Sequence, residues 1–248
     1  TGVNSKAAGI LDQESNFYYG RAGIIYDISD RQSIGAEVSV SDQRLPEITD
    51  TQTEVFSPDN LRKERALYDA NNKNERYSIA ANYINKLDTH GSVFKVKADY
   101  SRNNSDVFSD YNNGWESYLL PSMNYISKGD TLYRSTSANE REILSVGPDI
   151  SLRLSPQSTL KAGAKYIYNH MDDNALYEGF QSGVWSTAAD YSLMQKYTEN
   201  IGAAYGVFNS KLGKITYQVG LRGEYTHTRP NVTRLNGNDT TYTKDFFS

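Results

Sequence analysis

The stretch from Tyr197 to Thr228 carries an alternation of apolar and polar side chains that is clearest in its second half. That period of two belongs to a β-strand, whose successive side chains point to opposite faces. In its second half Ile215, Tyr217, Val219, Leu221 and Tyr225 fall on one side. Thr216, Gln218, Gly220, Arg222, Glu224 and Thr226 fall on the other. A tight turn at Asn209–Lys214 separates the two halves, so the stretch reads as a hairpin of two long strands. A soluble sandwich would turn the polar face to bulk water. A transmembrane barrel would turn the apolar face to lipid and the polar face to the lumen.

The same alternation marks strands at 16–28, 33–41, 75–87, 92–102, 142–154 and 159–169, ahead of the pair at 194–209 and 214–228. The face expected to meet lipid holds Val38, Val40, Ile79, Tyr83, Phe94, Val96, Val146, Ile150, Leu160, Ile201, Tyr205, Tyr217, Val219 and Leu221. The face expected to line the lumen holds Lys95, Lys97, Asp99, Asp149, Arg153, Lys161 and Lys165 with Gly220, Arg222, Glu224 and Thr226. Simple alternation puts Glu199 with Tyr197, Ile201 and Tyr205, which calls for a place above the lipid or a bulge that turns it inward. Pro148 sits on the apolar side without a ladder donor and predicts a bulge or distortion.

Short turns at Ser29–Gln32, Asp88–Gly91 and Ser155–Ser158 join the strands in pairs. Long polar segments at 42–74, 103–141, 170–193 and 229–248 follow each pair, and Thr1–Glu14 reads as a polar loop. The segment at 42–74 has room for a short helix near Leu61–Leu67, and Ser117–Ile126 could prolong strands into a hairpin above the membrane. A strict alternation of short turns and long loops is the rhythm of an outer-membrane barrel, with short periplasmic turns and long extracellular loops. Sandwiches instead show turn signals at regular short spacing. The expectation is therefore an all-β, antiparallel transmembrane β-barrel, of which this chain supplies about eight consecutive strands.

Composition agrees with that expectation. The net charge of -4 gives no reason to expect nucleic acid as a partner, and cysteine is absent. The mean hydropathy of -0.67 is that of a soluble chain at first sight, but a barrel defeats the index, because only every second strand residue faces lipid and the loops are polar. No apolar run approaches the roughly 20 residues of a membrane helix. Tyrosine stands out, with 20 Tyr against 8 Phe and 2 Trp, and its apolar ring with a polar tip suits a membrane interface. The chain opens Thr1-Gly2-Val3 without a visible signal peptide, and its first and last strands would both have ends outside the cell. Both features are those expected of an excerpt of a longer protein.

Ala203-Ala204-Tyr205, Lys211-Leu212-Gly213-Lys214 and Gly220-Leu221-Arg222-Gly223-Glu224-Tyr225-Thr226 resemble a pattern in TonB-dependent outer-membrane receptors, in particular the Bacteroidota-type outer-membrane β-barrel domain. Gly223 stands where that pattern carries an aromatic residue. The similarity extends back to about Asp149, through Leu154-Ser155-Pro156 and Leu160–Lys165. The resemblance implies a bacterial outer-membrane receptor for energy-coupled nutrient uptake. Its partners would be outer-membrane lipid, a plug domain of the same chain, a TonB-type energy transducer and an extracellular nutrient. The many long charges on the lumen face fit a wide, wet or plugged barrel such as the transporters of about 22 strands. A passive porin, a small outer-membrane barrel and a secreted soluble β-sheet domain that binds glycans are the competing readings.

Nothing in the sequence predicts catalysis, a cofactor or a metal. His170–Asn174 lacks the spacing and distal glutamate of a calcium loop, and Asn236–Asp239 reads as a turn. His90 lies in a short turn and His227 near a strand end, and neither has a convincing Asp, Ser or His partner nearby in sequence for a triad. Arg222 and Glu224 read as a charge ladder or as a lumen ion pair against a plug. The aromatics of the long segments are candidate ligand contacts, because binding residues concentrate there. They are Tyr111, Trp115, Tyr118, Tyr125, Tyr133, Tyr177, Phe180 and Trp185, with Trp115, Tyr118, Tyr177 and Trp185 foremost. The facing assignment predicts that Val219→Arg lowers stability in bilayers by about 2–4 kcal/mol while Gln218→Arg is tolerated. Folding titrations into lipid vesicles check this, and equal damage at the two positions contradicts it.

Overall fold

The computed structural model describes residues 3–237 and 239–248. Twelve strands form one antiparallel sheet, with no helix among the described residues. They are β1 (Asn4–Gln13), β2 (Asn16–Ser29), β3 (Gln32–Phe56), β4 (Asn60–Lys86), β5 (Val93–Leu119), β6 (Asn124–Ser155), β7 (Ser158–Gln181), β8 (Val184–Thr187), β9 (Leu193–Leu212), β10 (Ile215–Arg234), β11 (Asp239–Thr241) and β12 (Lys244–Phe247). The sheet is not closed. β1 and β2 run along one edge of β3, and β11 and β12 run along the far edge of β10. β1 and β2 hold the same register against β3 up to Asp27, with a gap where the Glu14 amide bonds to the carbonyl of Pro46 at 3.1 Å and a shift between Asp27 and Ser29 at the turn. β11 and β12 likewise share one register on β10.

The strands run well beyond the expected boundaries. Segments 42–74 and 103–141, expected as loops, are the distal halves of β3, β4, β5 and β6, paired residue by residue up to Phe56–Leu61 and Leu119–Asn124. Leu61–Leu67 is strand and not helix, since each of its residues pairs with β3 and β5. Most of 170–193 belongs to β7 and β8, and most of the described part of 229–248 to β10, β11 and β12. The described part of the expected N-terminal loop is mainly β1, while Thr1 and Gly2 lie outside the described residues. Asn238, in the turn expected at Asn236–Asp239, also lies outside them. Pro148 causes no bulge. Pairing lapses at Gly147 and Pro148, but Val146–Tyr166 and Asp149–Gly163 keep one register on either side, and the irregularity lies instead at Arg153–Ser155.

Register decides which residues share a face, because directly paired residues of antiparallel strands point the same way. One row joins Ala36, Ala81, Ala98, Val146, Tyr166, Gly202 and Tyr225. The next joins Val38, Ile79, Tyr100, Leu144 and Tyr168. Together with the rows of Ile150, Leu221 and of Leu160, Val219 they make an apolar band about nine residues deep along each strand, the length that crosses a bilayer. Beyond it the same face turns polar, at Arg102, Glu142 and His170. Tyrosines at this boundary aim their hydroxyls at polar neighbours. Tyr100 donates to Glu142 at 2.9 Å and Tyr166 to Asn200 at 2.7 Å.

The described residues form no conventional core. Among the described apolar side chains only Leu61, Ala70 and Pro230 are buried, while Leu221 is 83% and Val219 63% exposed. An apolar face of this extent marks a surface meant to be covered.

The short turns between β2 and β3, β4 and β5, β6 and β7, and β9 and β10 all lie at one end of the sheet. Measured against the row Ser33, Ile84, Lys95, Asp149, Gly163, Tyr205, Arg222, they recede by about one residue per strand. At roughly 3.3 Å per residue and about 4.8 Å between strands, that stagger is a tilt of roughly 35°, the tilt of strands in membrane barrels.

In the turn after β4, Asp88 accepts the His90 amide at 2.8 Å and the Ser92 amide at 2.9 Å. Hydrogen bonds from Ser92 above all, and from the His90 amide, pull its pKa down to about 2. Ser92 is itself buried and takes the Arg153 amide at 3.0 Å, which ties the turn to β6. A carboxylate held below its unfolded value of about 3.9 contributes stability above that value and loses it as pH falls toward 2. Denaturant unfolding in detergent should therefore show Asp88→Ala less stable than the parent at pH 6, with the difference closing between pH 4 and 2. A difference independent of pH contradicts the role of the charge.

Candidate functional site

The candidate site is the charged face and its continuation past the apolar band. Lys95, Asp149 and Arg222 lie in one row, Lys165 and Glu224 in the next beside Lys97, and Asp99 and Thr226 in the row beyond. Lys161 and Gly220 sit one row nearer the turns, and Arg153 nearer still. The hairpin turn explains this phase. Its two residues are Gly213, at φ 61°, and Lys214, so Leu212 pairs with Ile215 and each even residue of β9 pairs with an odd one of β10.

That pairing corrects the expected face of β9. Ile201 pairs with Thr226 and Tyr205 with Arg222, so both lie on the charged face. The residues of β9 on the apolar face are Gly202, Ala204, Gly206 and Phe208. Glu199 therefore needs neither a bulge nor a place above the apolar band, since it faces the charged side opposite Thr228 and Asn169. On the charged face Tyr205 reaches across β7 and donates its hydroxyl to Asp149. Gly163, directly between them, makes this possible, because a Cβ there would stand 2.6 Å from the Tyr205 ring. Arg222 binds Glu224 on its own strand at 2.7 Å.

A second layer of this face lies on the strand extensions. Trp115 covers Gly129, where a Cβ would stand 2.8 Å from the indole nitrogen. The Arg62 guanidinium lies 4.8 Å above the Trp115 ring. One row nearer the band is polar and uncharged, and the row after that joins Tyr68, Tyr111, Tyr133 and Gly179. Tyr111 and Tyr133 stack at 4.3 Å and 8°, and Tyr68 follows at 4.9 Å. Tyr177 lies on the same face, one row closer to the band. The other two foremost aromatics do not. Tyr118 and Trp185 share the face of Val219, and Trp185 packs on Phe180 with Arg134 4.4 Å above its ring. Arg134 also holds Glu178 at 2.6 Å and keeps that carboxyl below its ordinary value.

Tyr68 was not among the expected contacts. It occupies a segment without an apolar period, and only the row that brings it beside Tyr111 gives it a place. The histidines are dispersed. His170 bonds Thr198 at 3.2 Å, and His90 lies in a short turn. His227 meets Asp245 at 2.6 Å, a partner distant in sequence that β12 delivers. Among the described residues no group of three or more His, Cys, Asp or Glu side chains is placed to hold a metal ion.

The model of the outer membrane protein beta-barrel family matches residues 85–248. No curated protein matches the chain. Among solved structures it is similar to the unliganded ferric citrate transporter FecA, at 11% identity and a TM-score of 0.34, over 96% of this chain and 40% of that one. It is also similar to the outer membrane protease OmpT from Escherichia coli, at 9% identity and a TM-score of 0.28, over 99% of this chain and 93% of that one. A further likeness is to BauA, the ferric preacinetobactin receptor from Acinetobacter baumannii, at 6% identity and a TM-score of 0.35, over 96% and 43%. The chain thus spans less than half the length of the transporter FecA and the receptor BauA. With its alternating sheet, its apolar band and a family match from the end of β4 through β12, the chain belongs to the outer membrane protein β-barrel family of the bacterial outer membrane.

Proposed function

We propose that this chain is a piece of the wall of a TonB-dependent receptor for energy-coupled nutrient uptake, in a larger barrel of about 22 strands. On this reading the apolar band meets lipid and the charged face meets a plug domain of the same protein. The strand extensions rise outside the cell and shape the vestibule through which a nutrient enters. A TonB-type transducer would act on the plug, and the wall would carry no catalytic group. The Gly220–Thr226 run, with its resemblance to the Bacteroidota-type receptors, supports the same reading.

The observation that carries the choice of receptor over porin is an aliphatic patch on the charged face. Ile167 pairs directly with Ile201, and Ile143 lies one row away on the same side. All three are half-buried within the sheet. A water-filled lumen gives such side chains nothing to pack against, whereas a plug offers a solid partner. The long charges of Lys95, Lys97, Lys165 and Arg222 around the patch suit polar contacts to that plug, and a lumen wide enough to hold one. The soluble glycan-binding alternative does not fit a chain of an outer-membrane family.

Two measurements on the full-length protein test this. Reconstituted in planar bilayers it should show no steady conductance, and cells that make it should lose uptake of its nutrient when the inner-membrane potential is dissipated. A steady ohmic channel, or uptake that persists in de-energised cells, supports the porin and contradicts the receptor. In the receptor, Ile201→Glu should open a measurable conductance by loosening the plug, while Thr226→Glu should not.

A further inference from the structure

Three glycines of the charged face stand directly beside an aromatic side chain of the neighbouring strand. Gly163 is covered by Tyr205 and Gly129 by Trp115. Gly179 differs. It pairs with Tyr133, yet a Cβ built there would meet no atom within 4 Å. Tyr133 leans the other way, onto Tyr111. The ring stack therefore runs Tyr68, Tyr111, Tyr133 and stops with one face of Tyr133 turned to open space above Gly179. Strands are about 4.8 Å apart, so the place above Gly179 is the next step of the same stack.

The surroundings are uncharged. On this face the flanking rows of β5, β6 and β7 hold Ser109, Ser135 and Tyr177 on one side and Asn113 and Thr131 on the other. The nearest charged side chains of this face on β4 to β7 are Glu64, two rows outward beside Trp115 with Arg62 beyond it, and Asp173, three rows inward, roughly 13 and 20 Å along the strand at about 3.3 Å per residue. Burial in the stack, then the neighbouring Tyr68, push the Tyr111 hydroxyl above its ordinary pKa, so it stays protonated and neutral. The platform offers a flat ring face, hydroxyls and amides, and neither its own row nor the flanking rows of β5, β6 and β7 hold a charge for an anionic chelate to pair with.

Resting on the receptor reading, we infer that the open face of Tyr133 above Gly179 is a capture site for an uncharged sugar ring of an oligosaccharide. The flat C–H face of the sugar stacks on Tyr133, and its hydroxyls exchange hydrogen bonds with the side chains of Tyr177 and Thr131. Leaving out a side chain at Gly179 is what keeps the step open.

The test uses the full-length protein in detergent. Calorimetric titrations are run with neutral α-glucan, β-glucan, mannan and xylan oligosaccharides, with catechol as a plain aromatic probe and ferric citrate as an anionic one. At least one neutral oligosaccharide should bind. Tyr133→Ala should weaken it about tenfold, the scale of one aromatic stacking contact. Gly179→Val, which fills the step and suits a strand, should weaken it comparably, while Thr136→Val, on the opposite face of β6 between Phe108 and Leu176, leaves it unchanged. Heat-modifiable migration on gels verifies that each variant is folded. The inference is overturned if none of the oligosaccharides binds, if binding survives both Tyr133→Ala and Gly179→Val, or if those variants lose catechol or ferric citrate instead. Energy-coupled uptake of some other compound, with no saccharide binding, would remove this inference and leave the receptor reading standing.

Discussion

Backbone hydrogen bonding is the constraint on which the rest of this structure depends. In hydrocarbon an unpaired amide or carbonyl costs several kcal/mol, so a chain that crosses by strands must satisfy its backbone groups across neighbouring strands. The ladder here meets that demand with few interruptions. Register holds along the whole of β3–β4 and β4–β5, and along β7–β9 and β9–β10. Even Pro148, which lacks an amide hydrogen, only suspends two pairings and shifts none. The irregularities of β2–β3 and β6–β7 fall at the short turns, and that of β5–β6 at its distal tip.

Once the ladder is fixed, the pleat sorts side chains without further instruction. Every second residue goes to the apolar band or to the charged face, and each face has its own chemistry. The band ends where tyrosine hydroxyls reach the first charged row. The charged face uses glycine to make room for rings, as at Gly163 beneath Tyr205. On the extensions, exposed cross-strand ion pairs such as Arg65–Asp50 at 2.7 Å and Arg102–Glu140 at 2.6 Å add little, because solvent screens them. The hairpins hold their shape chiefly through backbone pairing.

The parts of this fold that were legible in the sequence are those that face two different media. Between Leu160 and Tyr166 one side is apolar and the other holds Lys161, Gly163 and Lys165, so the alternation appears in the residues themselves. Past Arg102 both faces are polar, and the hydrophobic period disappears while the ladder continues. For that reason the stretches around Leu61, Tyr111 and Tyr133 read as loops. The face of β9 was misread for a related reason. Ile201 and Tyr205 are its large apolar residues, but Gly202, Ala204 and Gly206 occupy the apolar side. A turn confined to Gly213 and Lys214 would have given the right phase, because a two-residue turn pairs Leu212 with Ile215. The tyrosine stack was beyond reach in the same way, since its members come from three strands and meet only through long-range register.

The account rests on the two faces of β9 and β10 meeting different surroundings. Single cysteines placed along 202–208 and 217–226 of the full-length protein in lipid vesicles, labelled with a fluorophore and exposed to a lipid-borne quencher, read those surroundings directly. The account predicts quenching at Gly202→Cys, Ala204→Cys, Gly206→Cys, Val219→Cys and Leu221→Cys, and protection at Ala203→Cys, Tyr205→Cys, Gly220→Cys and Arg222→Cys. Equal quenching at both sets, or quenching at Tyr205→Cys with protection at Ala204→Cys, would contradict it.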